Sequence, residues 1–453
     1  MTTNEKLATG SIPKLMVTLG LPSMVAQFIN VLYNMVDRMY IGHIEGAGDL
    51  ALTGLGLCFP IITLISAFSS FIGMGGAPLA AIEMGRGNQR KAERILSNGA
   101  TVLVCFSIIL TAFFMIFQRP LLYLFGASDN TIVYSQQYLS IYLCGTIFVQ
   151  LALGLNPYIT CQGRAKIAMM SVIIGAVLNI ILDPIFIFGL HMGVRGAAMA
   201  TIISQAVSAI WIVAFLTGEQ SMLRIRRKYL KPRLAIVQKV MVLGIAPFIM
   251  QSTESLISIV LNKSLSVYGG DLYVGSLTIM QSVMQLMLVP MQGFSQGCQP
   301  ITSYNYGAQN FDRVKKTIRI LLTITFSMTV VGCLLTVTFP GFFARIFTTH
   351  EELIALVEKV MPIYMGGIWM FGIQNGCQST FLGLGQAKIS LFLALLRKII
   401  LLIPLALILP RFMGVMGVYW AEPISDILAA TCTGSLLLFS YKRILSAEAL
   451  KKI

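Results

Sequence analysis

Apolar positions along this chain gather into stretches of about 20 or more residues separated by short polar breaks. That is the length at which a helix rising 1.5 Å per residue crosses roughly 30 Å of hydrocarbon. The pattern predicts spans over residues 14–42, 50–74, 95–117, 134–160, 167–190 and 196–217. It continues over 236–266, 275–298, 317–345, 353–383, 388–410 and 415–440. The reading is an all-α integral membrane protein of twelve transmembrane helices, six followed by six. The first apolar run is longer than the core of a leader sequence and has no small-residue cleavage pattern, so no removable signal peptide is expected.

Composition supports the same class. Hydrophobic residues make up 56 % of the chain and charged residues 11 %, where soluble domains carry about a quarter charged residues. A soluble enzyme, a nucleic-acid binder and a disordered scaffold all fit poorly. The net charge of +15 comes from 33 basic and 18 acidic residues, and its placement reads as topology. Lys6 and Lys14, Arg86 to Arg94, Arg164 and Lys166, Arg224 to Arg233, Arg313 to Lys316, Lys388, and Lys442 with Arg443 fall on one side. Short loops rich in Lys and Arg make that side the cytoplasm, with both termini in it. The alternate connections carry His43, Glu45, Asp49, Asp129, His191, Asp271, Glu351, Glu352 and Glu358. Eight cysteines are scattered singly and three histidines lie far apart, which disfavours disulfide and zinc chemistry.

The two sets of six repeat each other. Gly163-Arg-Ala-Lys-Ile recurs as Gly385-Gln-Ala-Lys-Ile, and Pro78, Gly85 and Asn88 recur at the same offset as Pro300, Gly307 and Asn310. Met192-Gly-Val-Arg-Gly recurs as Met413-Gly-Val-Met-Gly, at an offset shorter by a single position. An even number of spans per half makes the repeat parallel, about an axis along the membrane normal. The expected organisation is an N-lobe of residues 1–220, a basic cytoplasmic linker of 221–235 and a C-lobe of 236–453. Two such halves are a common plan for secondary transporters. No GxxxxGK[ST] sequence occurs, so ATP hydrolysis is not expected, the chain does not read as an enzyme, and an ion gradient or a partner must supply the energy.

Ionisable residues at membrane depth are costly and are functional candidates by default. Asp37 lies six residues before His43, roughly 9 Å below the outer end of span 1, and Asp183 eight before His191, roughly 12 Å down span 5. Asn179 shares the face of Asp183, and Thr201 lies about 9 Å deep in span 6. Four oxygen-bearing side chains from three helices thus converge. Such a set suits Na⁺, and two desolvated carboxylates sharing a site resist double ionisation and can hold a proton. The competing reading pairs each carboxylate separately, for instance with Arg38, although Arg38 adjoins Asp37 and so points elsewhere on the helix.

Around this set, Asn30, Tyr33 and Asn34 continue a polar stripe down span 1, Gln205 follows Thr201 on span 6, and span 4 contributes Tyr138, Gln150 and Asn156. They outline a hydrated cavity, with plain helix-to-helix hydrogen bonding as the alternative. In the second half Glu254 sits near the middle of span 7. Met280, Met284, Met287 and Met291 run along span 8 beside Gln281, Gln285 and Gln292, and span 10 adds Met370, Gln374 and Gln378. Methionines beside uncharged amides suit a surface accepting many ligand shapes, though packing explains such a stripe equally well. Arg397, Lys398, Glu422 and Asp426 lie within spans 11 and 12 and can neutralise one another. Pro22, Pro184 and Pro247 are candidate bending points.

Several of these features together resemble the multidrug and toxic compound extrusion (MATE) family, in its bacterial MepA- and DinF-like branch. They are Pro22 and Asp37 in span 1, Pro78 with Gly85-Arg-Gly-Asn88, Gln162-Gly-Arg-Ala-Lys166, and Asn179-Ile-Ile-Leu-Asp183-Pro184. The resemblance implies a two-lobed, twelve-helix bundle in a bacterial cytoplasmic membrane. It also implies a monomer that exports cationic amphipathic drugs or dyes in exchange for Na⁺ or H⁺, without a cofactor. It places the family's cation site on Asp37, Asn179, Asp183 and Thr201, and likens Tyr138 and Asn156 to positions near the N-lobe cavity. Relatives with a C-lobe site pair a glutamate on helix seven, like Glu254, with an acid on helix ten, where this chain offers only Gln374, Asn375 and Gln378. A second reading is a lipid-linked sugar flippase of the same superfamily, which would want a cationic cavity and for which Arg397 and Lys398 are the support.

Overall fold

A computed structural model describes residues 3–44, 46 and 48–451, and every predicted apolar run is helical in it; Glu45 lies outside the described residues. Spans 1 to 3 are Ile12–Gly42, Gly48–Gly85 and Gln89–Leu124. Span 4 is the pair Ile132–Cys144 and Thr146–Thr160, span 5 is Ala165–Pro184 and span 6 is Val194–Thr217. Spans 7 to 9 are Leu234–Tyr268, Asp271–Gly307 and Phe311–Thr338. Spans 10 to 12 are Glu351–Gly383, Ala387–Met413 and Val415–Ile444. Eleven of these are long and apolar enough to cross a bilayer, and the span 4 pair, taken as one bent helix, makes twelve.

Boundaries differ where glycine and proline mislead. Spans 2 and 8 run on to Gly85 and Gly307 through Pro78 and Pro300, because neighbouring helices can satisfy the groups a membrane proline frees. Span 9 stops at Thr338 instead, and Pro340 opens a separate short helix, Pro340–Phe347, at whose first turn its missing N–H is harmless.

The bends also differ from expectation. Pro22 and Pro247 lie inside unbroken helices. The 60° break is in span 4, at Gly145, where a Cβ would come within 2.5 Å of Ile202 on span 6. The same device recurs at the repeat-related Gly367, where a 3₁₀ turn, Met365–Gly367, interrupts span 10 and a Cβ would lie 2.5 Å from Pro423. Absence of a side chain, rather than proline, is what lets these pairs of helices close together. Pro184 does mark a change: it is followed by a wide π turn, Ile185–Gly189, closed by Leu190 N donating to Ile185 O at 2.8 Å. Span 11 carries a second π segment, Leu396–Leu402.

The repeat extends to side chains. Asn156 Nδ2 donates to Ala168 O at 3.0 Å and Ser171 Oγ at 2.8 Å, tying span 4 to span 5. Its counterpart in the second half, Gln378, donates to Ser390 O at 3.1 Å and Ser390 Oγ at 2.9 Å, tying span 10 to span 11.

Packing defines two compact units, one built on Val25–Gln251 and the other on Glu5–Met24 with Ser252–Ile453. This division falls within spans 1 and 7, not in the basic segment 221–235. That segment is anchored inside the first unit. Gln162 Oε1 accepts from Met222 N at 2.8 Å, Leu223 N at 3.1 Å and Ser221 Oγ at 3.0 Å, and Asn98 Oδ1 accepts from Arg233 N at 2.8 Å. Each unit has its own apolar core, one including Ile41, Ile61 and Leu139, the other Leu261, Met291 and Val357. Outward the chain is greasy: Phe439, Phe412 and Leu438 are 87 %, 81 % and 78 % exposed, which suits lipid and not water.

Candidate functional site

The first unit brings together the polar residues of spans 1, 4, 5 and 6. Asp37 is 7 % exposed, Asn179 2 % and Asp183 0 %. One turn of helix separates Asn179 from Asp183, so Asn179 Nδ2 donates along the same face to Asp183 Oδ1 at 3.2 Å. The carboxyls of Asp37 and Asp183 come within hydrogen-bonding reach of each other across spans 1 and 5. Three buried acceptors here, Asp37 Oδ1, Asn179 Oδ1 and Asp183 Oδ2, have no donor. Buried oxygens are normally satisfied, so three orphans in one cluster call for a proton or a cation.

Two tyrosines brace the pair. Tyr33 on span 1 hydrogen-bonds Asn34 and Gln205 of span 6, and Tyr138 on span 4 hydrogen-bonds Thr201 of span 6. Thr201 Oγ1 donates to Ala197 O at 3.0 Å, which leaves its oxygen free to accept. Tyr138 stacks on Tyr142 at 6.1 Å, a neighbour that no motif in the sequence marks. Asn30 lies a turn away from the pair, its carbonyl taking the Asn34 Nδ2 at 2.6 Å. Arg38 does not neutralise Asp37 by contact; its guanidinium lies 5.4 Å from the Phe59 ring centroid.

Other predicted residues lie apart from this set. Asn156 is committed to Ala168 and Ser171, and Gln150 Nε2 donates to Ile65 O at 2.7 Å; both serve packing between helices. In the second unit Met280 and Met291 are fully buried, and Met284 and Met287 pack against the same core. The stripe is therefore mostly interior, with Gln285 as its exposed member. Gln374 is buried with Oε1 unpaired, and Gln378 is held by Ser390.

The basic residues of span 11 are neutralised where they stand. Arg397 Nη2 donates to Glu422 Oε1 at 2.8 Å and Nε to Asp426 Oδ1 at 2.6 Å, while Lys398 Nζ pairs with Glu254 of span 7. This removes the free cationic cavity on which the flippase reading rested. The shorter of the two repeat offsets is a signal that could have flagged the cluster: it maps Thr201 and Gln205 of span 6 onto Glu422 and Asp426 of span 12. Among the described residues, no group of three or more His, Cys, Asp or Glu is arranged to hold a metal ion.

Comparison with known proteins agrees with this architecture. The MatE family model matches residues 22–185 and 247–408, once in each half. A multidrug export protein MepA of Staphylococcus haemolyticus is 26 % identical over 421 residues, covering 93 % of this chain and 92 % of that protein. MepA of Staphylococcus aureus strain MSSA476 is 24 % identical over 418 residues, covering 92 % and 91 %. A crystal structure of MATE in the bent conformation superposes with a TM-score of 0.89 at 24 % identity, covering 100 % of this chain and 99 % of that one. An outward-facing multidrug resistance MATE family transporter of the MOP superfamily gives a TM-score of 0.87 at 24 % identity, covering 99 % and 98 %. The structural matches establish a shared twelve-helix, two-lobed fold.

Proposed function

The chain belongs to the MatE family, and we propose that it is a secondary active exporter of cationic amphipathic compounds, driven by Na⁺ or H⁺ through the Asp37–Asp183 pair. The observation that carries this reading is the buried carboxylate pair whose facing groups leave Asp37 Oδ1, Asp183 Oδ2 and Asn179 Oδ1 without donors. A proton on either carboxyl would supply the missing donor between them. A Na⁺ would instead be held by those oxygens and by Thr201 Oγ1, an all-oxygen set fit for a hard cation. Either ligand replaces charge repulsion in a low-dielectric site with attraction, so the occupied and empty states differ in free energy. That difference can bias a conformational equilibrium; a ligand bound equally in both states would shift nothing. Tyr33, Asn34, Gln205 and Tyr138 line the approach to the pair, and their hydroxyls and amides suit a hydrated path for cations.

The names of the MepA relatives support multidrug export as the substrate class. The lobes of residues 1–220 and 236–453, both termini on the cytoplasmic side and action as a monomer belong to the same proposal. The test is efflux of ethidium from proteoliposomes with Na⁺ and H⁺ gradients imposed separately. One gradient should drive efflux in the unaltered protein and fail to do so in Asp37→Asn. Equal efflux by Asp37→Asn would overturn the assignment.

A further inference from the structure

The acidic pair makes no use of the charged cluster in the second unit, and the charges of that cluster are unevenly placed. Four of its five charged side chains are buried: Arg397 and Lys398 on the π segment of span 11, and Glu422 and Asp426 on span 12. These four cancel among themselves. Arg397 bridges both acids at 2.8 and 2.6 Å, and its guanidinium also lies 4.5 Å from the Phe371 ring centroid. Lys398 interacts electrostatically with Glu422 and is paired with Glu254. Glu254 is the fifth charge, and its side chain is 61 % exposed while that of Lys398 is 5 %. A carboxylate this open at mid-span cannot face hydrocarbon without great cost, so it opens on water.

The second unit therefore holds a buried charge set that is neutral without Glu254, and one surplus, accessible carboxylate covered by a tethered ammonium. We propose that Lys398 is a built-in competitor for organic cations at Glu254. An incoming cation arriving from the water side takes the carboxylate. Lys398 then falls back on Glu422 and Asp426, whose two charges exceed that of Arg397 by one. The displaced ammonium is never left unpaired in the bilayer interior, which is the condition that makes exchange feasible. The wide π turn supports the idea, since such segments loosen the local helix ladder where a side chain must change partners. This inference rests on the export reading above and deepens it. It names a single carboxylate that takes monovalent organic cations, and a lysine that keeps it covered when they are absent.

The test is a binding cycle on the full chain in detergent, with tetraphenylphosphonium as the probe. Lys398→Gln should tighten binding by at least about tenfold, a change of roughly 1.4 kcal/mol. Glu254→Gln should weaken it by a similar factor while leaving the thermal unfolding midpoint unchanged, because the remaining four charges still balance. The double variant should bind like Glu254→Gln, since Lys398 acts only through Glu254. Unchanged or weaker binding by Lys398→Gln would overturn the proposal, as would tightening that persists with glutamine at 254. Lys398→Met serves where the glutamine variant does not fold. If neither folds while the double variant does, the pair is a static support and the proposal fails. Loss of ion-driven ethidium efflux in the unaltered protein would instead sink the export reading and leave the binding cycle to be judged separately.

Discussion

Replacing Asp183 by Asn keeps the shape of the side chain and removes one of the two negative charges at the candidate coupling site. The amide oxygen can still accept from Asn179 Nδ2, now 3.2 Å from Asp183 Oδ1, and its NH₂ can donate to the unpaired Asp37 Oδ1. Packing around this fully buried position should therefore survive. The electrostatic loss is larger. A monovalent cation about 4 Å from a carboxylate gains about 4 kcal/mol at an effective dielectric constant of about 20. That is roughly a thousandfold in affinity, and the amide dipole with local water would recover about a factor of ten. Ion-driven ethidium efflux should fall by at least about a hundredfold under either gradient. Folding is followed in parallel with a thiol-reactive dye, because the buried Cys58, Cys161, Cys298 and Cys377 react only on unfolding. The midpoint should not drop, since substitution relieves repulsion between like charges. Efflux within threefold of the unaltered protein would refute the coupling role. A large fall in the midpoint would refute it differently, by placing Asp183 in the packing.

Three further outcomes follow from particular contacts. Gly145→Val puts a side chain where a Cβ already lies within 2.5 Å of Ile202, so the protein should lose about 1–3 kcal/mol of stability by overpacking, read as a lower thermal midpoint. Gln162→Leu strips one acceptor from two backbone N–H groups and a hydroxyl of the 221–223 segment. At about 1–3 kcal/mol for each buried group left unpaired, limited proteolysis should cut that segment at a much higher rate. Arg397→Met leaves Glu422 and Asp426 facing each other. It should cost about 3–5 kcal/mol, and a triple variant with Glu422→Gln and Asp426→Asn should regain most of the lost thermal stability.

Much of the fold was legible because a bilayer imposes a length rule on apolar runs, and all twelve predicted runs are helices. Where boundaries failed, the reason was local. Pro78 and Pro300 read as stops, yet tertiary neighbours in a membrane can satisfy the backbone groups they free. Gly145 read as an ordinary residue, although its close approach to Ile202 sets the 60° break. The acidic set was legible by depth counting, because three helices that carry one carboxylate or hydroxyl each at similar depth have few other places to point them. Asn156 and the methionine stripe show the limit of that method. Sequence supplies depth and face, but it does not say whether a polar or flexible side chain is already occupied by a neighbouring helix.

The repeat gives the most informative contrast. Span 6 offers Thr201 and Gln205 at the positions where span 12 offers Glu422 and Asp426. Span 5 bears Asn179 and Asp183 where span 11, at the offset that relates Gly163 to Gly385, has Leu401 and Leu405. The two halves thus share a backbone plan, down to paired glycine breaks and π segments, while their buried electrostatics differ in kind. The first unit buries two acids with no basic side chain in contact, an arrangement that must recruit charge from outside. The second buries two acids with two bases and is complete without any ion. If inorganic coupling is confined to a half that lacks its own counter-charge, moving Arg397 should disturb folding and moving Asp37 should disturb transport. A variant set in which those effects were exchanged would break the link between charge balance and role.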